Sequence, residues 1–262
     1  MRKLLFCLFT AIIIIGCSQE RVPSFQMPKQ IVDLSATITE DLPVRLWGHK
    51  LLSDFGFRDS TRFEHITIEE PLYVQNSYLE IFNHGGTHVD GPNHLERGAM
   101  GVDGYKLNQL IGRGRIIDLR SFPPDEPVGR SVIEEAKVMP GEIVIVLVGY
   151  EPPKAPDALP SYPYLSSEAA KYLAEIPVKA FATDAWSIGN PDRLYQMMAE
   201  GTTGYEAMAP AHHAFLTRHI PIIEALENVE QLVGVDEFVF VGFPLKIADS
   251  NASPIRAAAL VF

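Results

Sequence analysis

The chain has 262 residues, 47% hydrophobic and 21% charged, which suits one large domain or two small ones of an ordinary water-soluble enzyme. Its formal charge is −11, with no basic stripe in the acidic excess, and this excludes a protein that works by binding nucleic acid. No internal repeat or low-complexity run is present.

The first segment, "MRKLLFCLFTAIIIIGC" (1–17), has a basic head, Arg2 and Lys3, and then an apolar run too short to span a bilayer comfortably. It closes on Gly16 and Cys17, where a polar stretch begins. The pattern resembles the lipobox of a bacterial lipoprotein signal. Residues 1–16 are then a signal peptide, and Cys17 is the lipid acceptor and new N-terminus. Acyl chains there would hold an exported protein on a membrane face with its domain in water. A plain apolar anchor with an incidental cysteine is the alternative. Cys7 leaves with the leader, so the mature chain keeps one cysteine, with no disulfide and no thiol nucleophile. Residues 17–30 read as a polar, proline-containing tether, and 31–262 as the folded domain.

Strand-like runs follow at "QIVDLS" (30–35), "FEHITIEE" (63–70), "YVQNSYLEIF" (73–82), "GRIIDLR" (114–120), "EIVIVLVG" (142–149), "VKAFATDA" (178–185), "EFVFVGF" (237–243) and "AAALVF" (257–262). Helical patterns are fewer: "SVIEEAKV" (131–138), "SSEAAKYLAEI" (166–176), "DRLYQMMAE" (192–200) and "AHHAFLTRH" (211–219). Many strands are continuous apolar runs rather than alternating ones. That predicts a mixed α/β domain with a largely buried sheet.

The stretch "NHGGTHVDGPNHL" (83–95) holds three of the chain's eight histidines. A solvated loop has no use for three imidazoles, and a core would have to satisfy every ring nitrogen. The His84-x-x-x-His88 spacing also occurs on one face of a helix. Gly85, Gly86 and Pro92 argue instead for a tight irregular loop leaving the edge of the sheet. There His84, His88 and Asp90 can converge on one cation, and the carboxylate can bridge two. Neutral imidazole suits zinc, manganese or iron, and three protein ligands with an open position make a catalytic site. His94 is either a further ligand or a free imidazole that moves a proton to and from a metal-activated water.

"HGGTHVDGPNH" resembles the His-x-Gly-Thr-His-x-Asp-x-Pro-x-His signature of the cyclase family of metal-dependent amidases, which includes bacterial kynurenine formamidase and isatin hydrolase. "QIVDLSATITEDLPV" is similar to the family's opening strand and proline. "YPYLSSEAAKYLAEIPVKAFATDAWSIGNP" is similar to its central helix, strand and Asp-x-x-Ser turn. "AHHAFLTRHIPIIEALENVEQL" and "FPLKIADSNASPIRAAAL" resemble its C-terminal motifs.

The resemblance implies the family's mixed-sheet swivelling β/β/α fold. It also implies one or two divalent metals per chain, Zn2+ or Mn2+, and a homodimer or tetramer. His84, His88 and Asp90 match the first-metal ligands, His94 the catalytic histidine, and His212 and Glu224 the pair that completes a second metal position. Aligning "IPIIE" favours His212, with the neighbouring His213 as the alternative. The two would point about 100° apart in a helix, so one alone can face the metals. Asp184 and Ser187 match a turn, and His49, His65 and His219 have no ligand-like spacing.

The implied chemistry is hydrolysis of a C–N amide bond in a small cyclic or N-formyl amide, such as N-formylkynurenine or isatin. Thr87 would serve through a hydrogen bond behind the ligands or toward an oxyanion, or else fix the loop. The aromatic stretch 45–63, with Trp47, Phe55, Phe57 and Phe63, reads as a mobile cover for an aromatic amide or as an irregular surface loop. The competing functional reading is a surface-anchored lipoprotein that captures metal or a small molecule without turnover. A free base at His94 and a carboxylate at Glu224 argue against pure capture.

Overall fold

A computed structural model of the chain describes residues 26–58, 60–155 and 157–262. The lipidation signal, Cys17 and the start of the tether lie outside the described residues. Strand β1 (Gln30–Asp33) opens the domain, followed by helix α1 (Leu42–Phe55) and the strands β2 (Arg62–Ile68), β3 (Val74–Glu80), β4 (His88–Asp90) and β5 (Ile111–Asp118). Next come β6 (Pro127–Val128), α2 (Arg130–Glu135), β7 (Ile143–Leu147), β8 (Tyr164–Leu165), α3 (Ser167–Glu175) and β9 (Ala180–Thr183). The chain ends with α4 (Pro191–Ala199), α5 (Tyr205–Met208), α6 (Pro210–Leu216), β10 (Ile222–Glu224), β11 (Phe238–Pro244) and β12 (Ala252–Val261).

An eight-stranded sheet runs in the order β1-β12-β11-β5-β7-β9-β10-β4, and β4 also pairs with the start of β12, so the sheet closes on itself. The pairs β5–β7, β7–β9 and β9–β10 are parallel, whereas β11, β12, β4 and β1 pair antiparallel. This is the expected mixed-sheet β/β/α arrangement.

The unbroken apolar run of β7 has a direct cause. Ile143, Ile145 and Leu147 point into the barrel with Val89, Ile223, Phe240 and Ala257. Val144 and Val146 point outward, where Leu173 of α3 and Ala214 and Phe215 of α6 cover them. Side chains alternate across a strand, so a strand covered on both faces has no position for a polar residue.

Two elements differ from the sequence reading. Residues 42–55 are helical rather than a loop-like cover, with a kink at Gly48, whose φ is 76°. Pro43 starts the helix, and Gly56, in the left-handed region, ends it by donating its N–H back to Ser53. Leu42, Leu46, Leu51 and Leu52 supply the buried face. The second difference is that β2 and β3 do not join the barrel. They pair with each other in a hairpin exposed almost throughout. The strand before the histidine cluster therefore belongs to this arm and not to the sheet edge.

Candidate metal-binding active site

The cluster begins as the tight loop its glycines required. Residues 81–87 have no regular structure, and Gly85 donates its N–H to the carbonyl of Phe82 at 2.8 Å. A Cβ on Gly85 would stand 2.8 Å from that oxygen, and one on Gly86 2.8 Å from Leu42 Cδ2. Only glycine lets the loop lie this close to α1. The chain then enters β4, where His88 and Asp90 share one face because strand side chains alternate. Val89 between them fills the barrel interior. Pro92 starts a short 3-10 turn that ends on His94.

Distant elements complete the cluster. β10 pairs with β4 so that Glu224 lies opposite His88 and Ile222 opposite Asp90. Helix α6 packs over β10 and presents His212, whose Nε2 is 3.4 Å from Glu224 Oε1 and 3.8 Å from Asp90 Oδ2. The neighbouring His213 helps hold the Glu206 carboxyl below the ordinary range after the larger effect of Lys171. Of the two histidines only His212 enters the site.

His84 Nδ1, His88 Nε2 and Asp90 Oδ1 form a triangle with edges of 3.3, 3.0 and 3.3 Å. Three donors at ~2.0–2.1 Å from a tetrahedral ion would be separated by roughly 3.3–3.4 Å, so the triangle has the size of a metal coordination shell. Asp90, His94 and His212 form a second group with ligand atoms within 4.8 Å of one another, and Asp90 belongs to both. Glu224 spans them, with Oε2 3.4 Å from His88 and Oε1 3.4 Å from His212. His94 thus stands among the ligand-capable atoms of the second group rather than apart from them.

Hydrogen bonds from outside the cluster orient these atoms. His88 Nδ1 lies 2.7 Å from the carbonyl of Gly86, which fixes that nitrogen as donor and leaves the Nε2 lone pair for the cluster. The backbone N–H of Ile188 donates to Glu224 Oε1 at 2.8 Å. The Tyr105 hydroxyl donates to the carbonyl of Asp90, and Trp47 Nε1 donates to that of His84.

Both carboxylate oxygens of Asp90 are fully buried, and neither has a hydrogen-bond partner despite the imidazoles around them. Burial works to raise this carboxyl, yet the imidazoles of His94 and His84 outweigh it and hold Asp90 well below the ordinary carboxylate range. Glu224 is also lowered, with burial and Asp90 opposed by His212 and His88. Burial lowers His88, but Asp90 and Glu224 reverse that effect and raise it to about 10, so its Nε2 holds a proton that a bound cation would displace. Two ionised carboxylates without enough donors are costly inside a protein. A divalent cation is the group that satisfies them, and the residues fit it.

His94 differs in being less buried than the other five. Burial lowers it to about 4, against the attraction of Asp90, so its ring is neutral at neutral pH.

Thr87 fixes the loop. Its hydroxyl donates to the carbonyl of Ala225 at 2.6 Å and accepts from the N–H of Ala36 at 2.8 Å, so it is engaged by backbone on both sides. Asp184 shapes its turn by accepting from the N–H groups of Val148, Gly149 and Tyr150. His49 and His219 are exposed, and His65 lies on the hairpin arm beside Ser77. The sequence reading missed Tyr105 and Ile188. The latter acts through its backbone N–H, which carries no side-chain signal.

Aromatic side chains cover the His84 side. Trp47 packs on Phe57, Phe82 and Trp186, and Phe82 packs on His84. On the His212 side a cavity of about 330 Å³ opens between β8, the turn after β9 and the helices α4 to α6.

Residues 32–190 match the model of the Cyclase family, described as "Putative cyclase", and the chain belongs to that family. It is 29% identical over 192 residues to a kynurenine formamidase of Salinibacter ruber, covering 72% of this chain and 81% of that one. It is 25% identical over 189 residues to a kynurenine formamidase of Bacillus thuringiensis, with coverage of 72% and 81%. Among solved structures, isatin hydrolase A from Labrenzia aggregata superposes with a TM-score of 0.69 at 22% identity, over 88% of this chain and 93% of that one. That likeness shows the shared fold. With this family and these relatives, the chain is a hydrolase of the class acting on C–N bonds.

Proposed function

We propose that the chain hydrolyses the C–N bond of a small cyclic or N-formyl amide, of the kind represented by isatin or N-formylkynurenine, at a divalent-cation site. His84, His88 and Asp90 would hold a first cation, and His212 and Glu224, with Asp90 nearby, would complete a second position. The single observation that carries this reading is Asp90, a fully buried carboxylate whose oxygens lie 3.0, 3.3 and 3.8 Å from nitrogens of His84, His88 and His212 without a well-formed hydrogen bond to either oxygen. The two relatives named kynurenine formamidase support the substrate class. Imidazole with carboxylate suits zinc first and manganese second.

A bound cation supplies a Lewis acid for the carbonyl oxygen and lowers the pKa of water toward neutrality. The residues do the rest. Asp90 and Glu224 fix the charge of the site, and the Gly86 carbonyl and Ile188 N–H keep His88 and Glu224 in place. His94, neutral and the least buried of the six, accepts a proton from the attacking water and delivers it to the leaving nitrogen. Trp47, Phe57 and Phe82 exclude water on one side. A second reading of His94, as ligand at the second position, follows from its place beside Asp90 and His212.

The chain is further proposed to be exported and lipid-anchored through Cys17 and to act as a homo-oligomer. The Gly16–Cys17 boundary supports the anchor. The hairpin arm supports assembly, since an isolated pair of strands is marginal in water and this one exposes Ile68, Leu72, Tyr73, Tyr78 and Leu79.

Purified without chelator, the protein should carry zinc or manganese and release acid from formanilide and isatin. Chelation should abolish turnover, and the metal should restore it. Metal-replete protein inert toward formyl amides and cyclic amides alike would overturn the assignment.

A further inference from the structure

The cavity on the His212 side has walls that are mostly apolar: Leu165, Trp186, Ile188, Leu194, Met197 and Met208. Its size falls in the ~300–1,000 Å³ range of small-molecule sites. Two of its lining groups bear on charge. His212 connects it to the cation cluster. Arg193 of α4 is the one lining residue, among the described residues, with a permanent charge.

The guanidinium is weakly engaged. NH1 stands 3.4 Å from Gln196 Oε1 and 3.7 Å from Glu200 Oε1, both on its own helical segment, which leaves most of its donors free. Tyr164, also in the wall, lies within reach of its charge. Burial raises that hydroxyl, and Arg193 draws it back. The nearby Asp125 is taken up by Asn190 and Ser161 and does not line the cavity. A flat apolar body placed here would meet the hydrolytic groups at His212 and a free cationic fork at Arg193. In a chain of net charge −11, a lone guanidinium over an apolar cavity selects an anion.

We propose that this cavity binds the aromatic body of a carboxylate-bearing amide and that Arg193 is the residue that selects for the carboxylate. The inference rests on the hydrolase reading above and narrows its substrate class.

Two formyl amides differing only in the acid group test it: 4-formamidobenzoate and formanilide. The wild-type protein should favour 4-formamidobenzoate in kcat/KM. R193Q should raise KM for 4-formamidobenzoate about tenfold more than for formanilide, the scale of one charge-assisted pair, and R193K should recover part of the difference. An equal change for both substrates, or none, overturns the assignment. A calorimetric titration of metal-loaded protein with 4-aminobenzoate, which carries no scissile bond, reads the same contact without turnover. Binding weakened about tenfold in R193Q supports the proposal even if neither formyl amide is cleaved, which would count against the hydrolase reading alone. Wild-type protein that fails to bind 4-aminobenzoate, or R193Q that binds it as well, overturns the proposal.

Discussion

Glu224 faces His88 directly across the β10–β4 ladder, with its Oε2 3.4 Å from the imidazole Nε2. This contact joins the local histidine cluster to the second half of the chain, because the same carboxylate reaches His212 through its other oxygen. Closure of the barrel by β4 and assembly of the six-residue cluster are therefore one structural event.

Replacing Glu224 by Gln keeps an oxygen for the Ile188 N–H but removes the charge. The variant should fold, keep the first cation and lose most of the second, because a neutral amide oxygen is a far poorer ligand than a carboxylate. His84→Ala should lose most of the metal. Elemental analysis of both proteins checks this, and full metal content in both would contradict the ligand set.

His94→Ala separates proton transfer from coordination. As a proton carrier, His94 can be removed with metal retained and turnover lowered roughly 10²–10⁴-fold. As a ligand, its loss should take metal and activity together, and added metal should restore both. Metal content, melting temperature and kcat measured on this one variant distinguish the two.

Glu142 gives a pH signature far from the site. It is buried, with Arg115 donating through Nε at 3.0 Å and NH2 at 2.7 Å, and the Met139 N–H at 2.9 Å. Burial raises its pKa, but the Arg115 hydrogen bonds overcome this, so the folded value lies below the ordinary 4.5. A depressed folded pKa stabilises above the unfolded value and loses that stabilisation as pH falls through the folded one. Arg115 is 31% exposed, so the pair contributes only about 1 kcal/mol, or ~2–4 °C in Tm. Glu142→Gln should show that deficit at pH 7 and lose it in acid below the ordinary carboxyl range. A deficit unchanged between pH 7 and pH 3 would rule out this origin.

Lipidation at Cys17 is tested in cells. Cys17→Ser should leave the precursor unprocessed or release the domain from the membrane fraction. Normal processing with membrane retention would sink the anchor.

Much of the site was legible because its first half is local. His84, His88, Asp90 and His94 sit within one short stretch, so glycines and a proline announced the loop before any fold was known. The run at 142–149 was equally legible, since a strand buried on both faces accepts six apolar residues in succession. Helix α1 was obscured by its own sequence. Gly48 breaks the helical pattern midway, and the aromatic residues around it suggested a cover. The hairpin read as sheet because strand residues carry no record of which strand they pair with.

By itself the sequence determined the chemistry on offer: three imidazoles and a carboxylate on a glycine-permitted loop, and strands that must be covered on both faces. It also named Glu224 and His212, through resemblance alone. Only the tertiary structure decided that they arrive. Glu224 reaches the cluster because β10 pairs with β4 in one register, and a slip of one residue would turn its carboxylate into the barrel. His212 enters and His213 does not because the buried face of α6 is the one that packs on that sheet. Sequence spacing specifies which side chains share a face, but packing against a partner specifies where that face points.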